Sequence, residues 1–234
     1  MLENRNILIT GTSRGLGHAL ACHYLSFNHN VVGVSRQESE IDDPHYRHIS
    51  ADIRIESEVR TLFSDLRKHM NSLDILINNA GISVTAPALL TTGTQFDDII
   101  RTNLIGCFLV SREAIKFMKR QGCGRVINFS SINVPLRSSG SIAYNASKSA
   151  VENMAGTFSS ELTETEITIN TVGLSLVENT GMFEQLSDFT IKEKQTNLTK
   201  PNVITVQEIT HIIDFLCHPN ALNISNQSIF FGGV

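Results

Sequence analysis

No apolar run in this 234-residue chain reaches the roughly 18 residues that a bilayer-spanning helix requires, so no membrane partner is expected. The N-terminus, MLENRNILITG, enters a β-branched run at once and shows no signal-peptide pattern, which makes the cytoplasm the expected compartment. Clusters of Lys or Arg are missing, and a net charge of −4 with a pI near 6.1 argues against a nucleic-acid partner. The cysteines Cys22, Cys107, Cys123 and Cys217 have no C-x-x-C spacing. Three of them, Cys22, Cys107 and Cys217, fall in apolar helical patterns and read as reduced core residues. Histidines such as His18 and His23, or His45 and His48, lack carboxylate or cysteine partners at ligand spacing, so no metal is expected. Repeats, low-complexity tracts and linkers are absent as well.

What remains is ordinary core material, 41% hydrophobic with a mean hydropathy of −0.01. It is arranged as alternating strand and helix patterns. NILIT, NVVGVS, HISADI, LDILINNAG, RVINFS, ITINTV and QSIFFGGV read as seven strands, the third ending at Asp52. HALACHYLSF, residues 56–70, FDDIIRTNLIGCFLVSREAIKFMKR, AYNASKSAVENMAGTFSSEL and TVQEITHIIDFLC read as helices. Between the first strand and the first helix lies GTSRGLG. Its glycines, Gly11, Gly15 and Gly17, let the backbone turn tightly and approach a pyrophosphate, while the free N–H groups and dipole of a helix start favour negative charge. A strand, a glycine turn and a helix, continued by this alternation, predict an α/β fold. We expect a Rossmann-type doubly wound seven-stranded parallel sheet, a three-layer α/β/α sandwich, in one domain over residues 1–234.

The residue after the second strand is where such folds read the adenosine ribose. An acid there accepts the 2′-hydroxyl of NAD. This chain has Ser35-Arg36-Gln37, and Arg14 in the glycine turn is a second cation. Two guanidiniums suit a 2′-phosphate, so NADP(H) is expected over NAD(H). The alternative is a solvated Arg36, with Glu38 or Glu40 reading the ribose of NAD.

The stretch SINVPLRSSGSIAYNASK, residues 131–148, carries the candidate chemistry. Tyr144 and Lys148 are four apart in a helical pattern, hence one turn apart on one face. An ammonium beside a phenol stabilises the phenolate, and a position near the helix start adds to that, so Lys148 is expected to lower the Tyr144 pKa. Ser131 ends the strand RVINFSS, where its hydroxyl can hydrogen-bond a reacting oxygen. Ser130 competes for that task, since alternate strand residues face opposite ways and only one should reach the site.

Ser131, Tyr144 and Lys148, the Asn78-Asn79-Ala80-Gly81 run and the glycine turn together resemble the short-chain dehydrogenase/reductase family over nearly the whole chain. The layout is similar to its 3-oxoacyl carrier-protein reductases. The resemblance implies catalytic roles for Ser131 rather than Ser130, and for Tyr144 and Lys148, with Lys148 also holding the nicotinamide ribose. It implies that Gly11, Ser13, Arg14, Gly15, Leu16 and Gly17 hold the pyrophosphate, in the family's T-G-x-x-x-G-x-G pattern. Arg36 would bind the 2′-phosphate. Asp52, with Ile53, would meet the adenine, a local capping role being the alternative. Asn79, Ala80 and Gly81 would flank the nucleotide. Asn103 would be a fourth catalytic residue, unless it is a satisfied core asparagine. Thr180 would contact the carboxamide or phosphate. In place of the family's Pro-Gly after strand six stand Val172-Gly173-Leu174-Ser175, where Gly173 is expected to supply the unusual backbone angles. Residues 182–200, with Phe183, Leu186, Phe189, Lys192 and Lys194, occupy the place of a substrate lid. The expected partners are a small carbonyl or alcohol substrate and copies of the chain, as a homodimer or homotetramer. A 3-oxoacyl thioester is the first substrate expected; a sugar, a ketone of secondary metabolism, or a non-catalytic NADP sensor remain open.

Overall fold

The first strand already shows how the sheet is enclosed. In β1 (Asn6–Thr10), Ile7 and Ile9 belong to one buried cluster and Leu8 to another, so both faces are covered. The structure, a computed structural model, describes residues 4–178, 180–184, 191–192 and 195–234. Its other strands are β2 (Asn30–Ser35), β3 (Tyr46–Ser50), β4 (Ile75–Asn78), β5 (Cys123–Ser131), β6 (Glu166–Leu174) and β7 (Ser228–Phe230). All are parallel, in the order β3-β2-β1-β4-β5-β6-β7. The order reverses between β1 and β4, and a doubly wound sheet binds its ligand outside the strand ends at that reversal.

Helix α1 (Gly15–Leu25) lies on one face, with Leu20, Ala21 and Tyr24 among the buried side chains of that cluster. α2 (Glu56–His69) turns Val59, Leu62, Phe63 and Leu66 towards the other. The long helical pattern after β4 folds as α3 (Gly93–Ile100), a π-helical turn (Arg101–Gly106) and α4 (Cys107–Gln121). A short α5 (Asn133–Leu136) follows β5 and leads to α6 (Ile142–Ser160). α7 (Gly181–Glu184) follows β6, and α8 (Val206–Cys217) packs Ile209, Ile213 and Leu216 into the cluster of α1. Among the described residues no helix is long and apolar enough to cross a membrane.

Four expectations change. β3 stops at Ser50, so Asp52 and Ile53 lie in the loop beyond it. β7 holds only Ser228–Phe230, because Gly232 and Gly233 take φ of +91° and +69° and turn the chain off the sheet. The tail then returns to residues 199–200, where Lys200 N–H and Thr199 Oγ1 donate to the carbonyls of Gly232 and Gly233 at 2.9 and 2.7 Å. Gly173 supplies no unusual angle. It is a strand residue of β6 paired with Phe230, and a Cβ there would stand 2.1 Å from the Phe230 ring, so the glycine makes room for an aromatic. Cys22 is exposed rather than buried, its thiol 3.7 Å from His18 Nδ1, while Cys107 and Cys217 are buried thiols. Of the expected lid, Leu186, Phe189 and Lys194 lie outside the described residues.

Candidate active site

A cleft of about 540 Å³ opens over the C-terminal ends of the strands. One end is built from backbone. α1 begins with no side-chain cap, leaving its first N–H groups directed at the cleft. Gly11 and Gly15 take φ of +78° and +60°, and a Cβ on Gly15 would meet nothing within 4 Å, so the turn is open at that point. Gly11, Ser13, Arg14, Gly15 and Leu16 line the cleft. Gly17 does not, contrary to expectation. It is buried behind the turn, where a Cβ would lie 2.2 Å from the Gly11 carbonyl oxygen and 2.4 Å from Asn79 Nδ2. The turn is fastened from below: Asn79 Nδ2 donates to the carbonyls of Thr10 and Gly11 at 2.8 and 3.3 Å, and Thr10 Oγ1 accepts from the N–H groups of Asn79 and Ala80 at 3.1 and 3.0 Å. Asn78 lies deeper and bridges Ser111 and Asn128, each at 2.8 Å. Such a cradle fits a pyrophosphate.

Arg36, Asp52, Ile53, Asn79, Ala80 and Gly81 continue the wall. Arg54 belongs to it too and was not anticipated. It grips the Asp52 carboxylate with Nε at 3.0 Å from both oxygens and Nη2 at 2.6 Å, while its N–H closes a local turn on Oδ1 at 3.0 Å. These hydrogen bonds from Arg54 hold the Asp52 carboxyl below its ordinary pKa, and Arg36 adds to the effect. Asp52 therefore has a local role, whatever it does for a ligand. The D-x-R spacing was the available signal.

At the other end β5 delivers Ser131, and α6 delivers Tyr144 in its first turn and Lys148 one turn later. All three line the cleft. Burial dominates the Tyr144 phenol and pushes it up to about 12, with the nearby Ser131 hydroxyl acting in the other direction. The expected lowering by Lys148 is not found. Its Nζ donates to the Phe129 carbonyl at 2.7 Å and lies 5.8 Å from the centre of the Tyr144 ring, over the face rather than at the hydroxyl. Burial pulls Lys148 itself down to about 8, with Cys107 and Glu152 acting in the opposite direction. Strand alternation does not separate the two serines either. Both line the cleft, and Ser130 donates to Glu152, two turns beyond Tyr144 on α6.

Asn103 sits in the π-helical turn, buried, and does not line the cleft. Its Oδ1 accepts from Ile82 N–H at 2.8 Å, and its Nδ2 donates to the Ile82 carbonyl and to Ser147 Oγ at 2.9 and 3.1 Å. Gly81 lies between it and Lys148, since a Cβ there would stand 3.3 Å from Asn103 Oδ1 and 3.8 Å from Lys148 Nζ. Thr180 lines the cleft but is engaged locally, donating to the Val177 carbonyl at 2.9 Å and accepting from Phe183 N–H at 3.3 Å.

The short chain dehydrogenase family model matches residues 5–190. The chain is a member of the short-chain dehydrogenase/reductase family. As a short-chain dehydrogenase it is an oxidoreductase of alcohols or carbonyls that works with a nicotinamide dinucleotide. It is similar to the 3-oxoacyl-[acyl-carrier-protein] reductase FabG of Vibrio harveyi, with 26% identity over 99% of this chain and 97% of that protein. NADPH-dependent aldehyde reductase 2, chloroplastic, of Arabidopsis thaliana is 29% identical over 99% and 94%. Among solved structures, a putative gluconate dehydrogenase from Agrobacterium tumefaciens shares the fold, with a TM-score of 0.88, 24% identity and coverage of 99% and 96%.

Proposed function

We propose that this short-chain dehydrogenase uses NADP(H) to interconvert a carbonyl and a secondary alcohol, and that a 3-oxoacyl thioester is its substrate. The convergence of Ser131, Tyr144 and Lys148 on one end of a cleft whose other end is a phosphate cradle carries the reading. Arg14 and Arg36, both on the cleft wall, favour a 2′-phosphate, in keeping with a relative named as NADPH-dependent. The cofactor supplies the hydride when bound. Ser131 donates a hydrogen bond to the carbonyl oxygen, and Tyr144, neutral because it is buried, gives that oxygen a proton. Lys148 stands beside the ring as a buried cation and holds the nicotinamide ribose; Asn103 fixes the backbone at Ile82 and completes the proton relay. Asp52 and Ile53 take the adenine end and Thr180 the nicotinamide side. Ile82, Ile132, Leu176 and Phe183 are among the residues lining the cleft, apolar surface that suits an acyl chain better than a sugar. The whole chain forms one cytoplasmic dinucleotide-binding domain that assembles as a homodimer or homotetramer.

The test is NADPH oxidation by the purified protein with 3-oxoacyl thioesters, sugar carbonyls and steroid ketones side by side. Turnover of the thioesters above the others is expected. Tight NADPH binding with no turnover of any carbonyl would replace the enzyme reading with a cofactor sensor.

A further inference from the structure

α6 carries a third polar residue in the row that holds Tyr144 and Lys148. Glu152 follows Lys148 by one turn, so the three side chains descend one face of the helix. Its carboxylate accepts a hydrogen bond from Ser130 Oγ. Ser130 is only 2% exposed, yet it lines the cleft, and it thereby links the cleft wall to a carboxylate outside it. Lys148 is 6% exposed, and the Phe129 carbonyl that it touches carries no compensating charge. A buried ammonium with only a neutral acceptor is costly, and the carboxylate one turn away is what offsets it.

We propose that Glu152 is a positioning residue for the reaction: through its place one turn beyond Lys148 it keeps that side chain charged, and through Ser130 it fixes the back wall of the cleft. This rests on Lys148 acting beside Tyr144, as proposed above. The ionisable groups that act on Lys148 are Cys107, from α4, and Glu152, on its own helix, with the Tyr144 ring against it. Lys148 in turn is the charged group acting on Glu152, beside the Ser130 hydroxyl. Burial raises the Glu152 carboxyl and pulls Lys148 down to about 8, and each group opposes that shift in the other. Among helix residues a lone Glu reads as a solvated face, which is why the sequence does not single it out.

The experiment follows the Lys148 Cε signal by ¹³C NMR in the ligand-free protein as pH is raised, the signal being assigned with Lys148→Arg. In Glu152→Gln, which keeps the shape and can still accept from Ser130, the Lys148 midpoint is expected to fall by about one pH unit. The alkaline limb of the turnover profile should move with it, while NADPH affinity at pH 6, where Lys148 stays charged in both proteins, is unchanged. An unmoved Lys148 midpoint overturns the proposal. The wild type offers a check that needs no variant to fold: the Lys148 signal should inflect a second time where Glu152 titrates, and a single inflection also overturns it. Failure here is separable from failure of the carbonyl-reductase reading. Full turnover by Tyr144→Phe would sink that reading without touching the Lys148 midpoint.

Discussion

The two ends of the cleft are built by different means. The phosphate end is backbone: positive-φ glycines, an uncapped helix start and an Asn79 amide that ties β4 to the glycine turn. The reacting end is side chains brought by β5 and α6, whose ionisation is set by burial. Backbone packed as it is at Gly17 tolerates no added atom, whereas side-chain sites tolerate substitution structurally and fail chemically. A disturbance at the first end should therefore appear as lost stability or affinity, and one at the second as lost turnover in a protein that still folds.

The largest effect should come from the reacting end. Tyr144→Phe removes one oxygen and is expected to lower kcat by about 10³-fold, the usual range for a positioned proton donor, with NADPH affinity within twofold of wild type. Steady-state kinetics beside fluorescence binding measure both, and a comparable loss of affinity would erase the contrast between the two ends. Gly17→Ala should do the reverse. Its new methyl would press on the Gly11 carbonyl and on Asn79, destabilising the fold by about 1–3 kcal/mol in chemical denaturation and weakening NADPH binding. An unchanged unfolding midpoint would show that the turn has slack.

Arg36→Asp probes the cofactor end without touching its backbone. Losing a charge-assisted contact to a 2′-phosphate should weaken NADPH at least about tenfold relative to NADH. If wild type binds both equally, the preference assigned to Arg14 and Arg36 is wrong. The last test concerns pH. Lys148 loses its proton near 8 in the fold and at its ordinary value of 10.5 when unfolded, so between those values the unfolded chain binds the extra proton. This group's contribution to stability therefore rises with pH across that window. Urea titrations at pH 8 and 10 should show wild type gaining relative to Lys148→Met, and a constant difference would contradict the buried charge.

Much of the fold was legible because fully buried parallel strands read as apolar runs: ILIN and the body of RVINFSS need no tertiary knowledge. β3, only partly buried along its length, was overrun by two residues. The glycine turn was legible as a motif, but not the division of labour inside it, since Gly15 is set apart by its positive φ and Gly17 by what lies behind it. Gly173 was misread for the same reason: the Phe230 ring that requires a glycine there is 57 residues away in the chain. Tyr144 and Lys148 were placed by helical spacing, whereas burial sets the ionisation of both, with Cys107 and Glu152 acting on Lys148, which spacing does not reveal.

The glycine pair at the C-terminus carries a practical consequence. Because Gly232 and Gly233 fold the last residues of the sequence back onto Thr199 and Lys200, this stretch is held by two hydrogen bonds instead of trailing into solvent. An affinity tag fused after Val234 would pull on those bonds. Protein tagged after Val234 should unfold at a lower urea concentration than an N-terminally tagged preparation, with NADPH affinity the same in both.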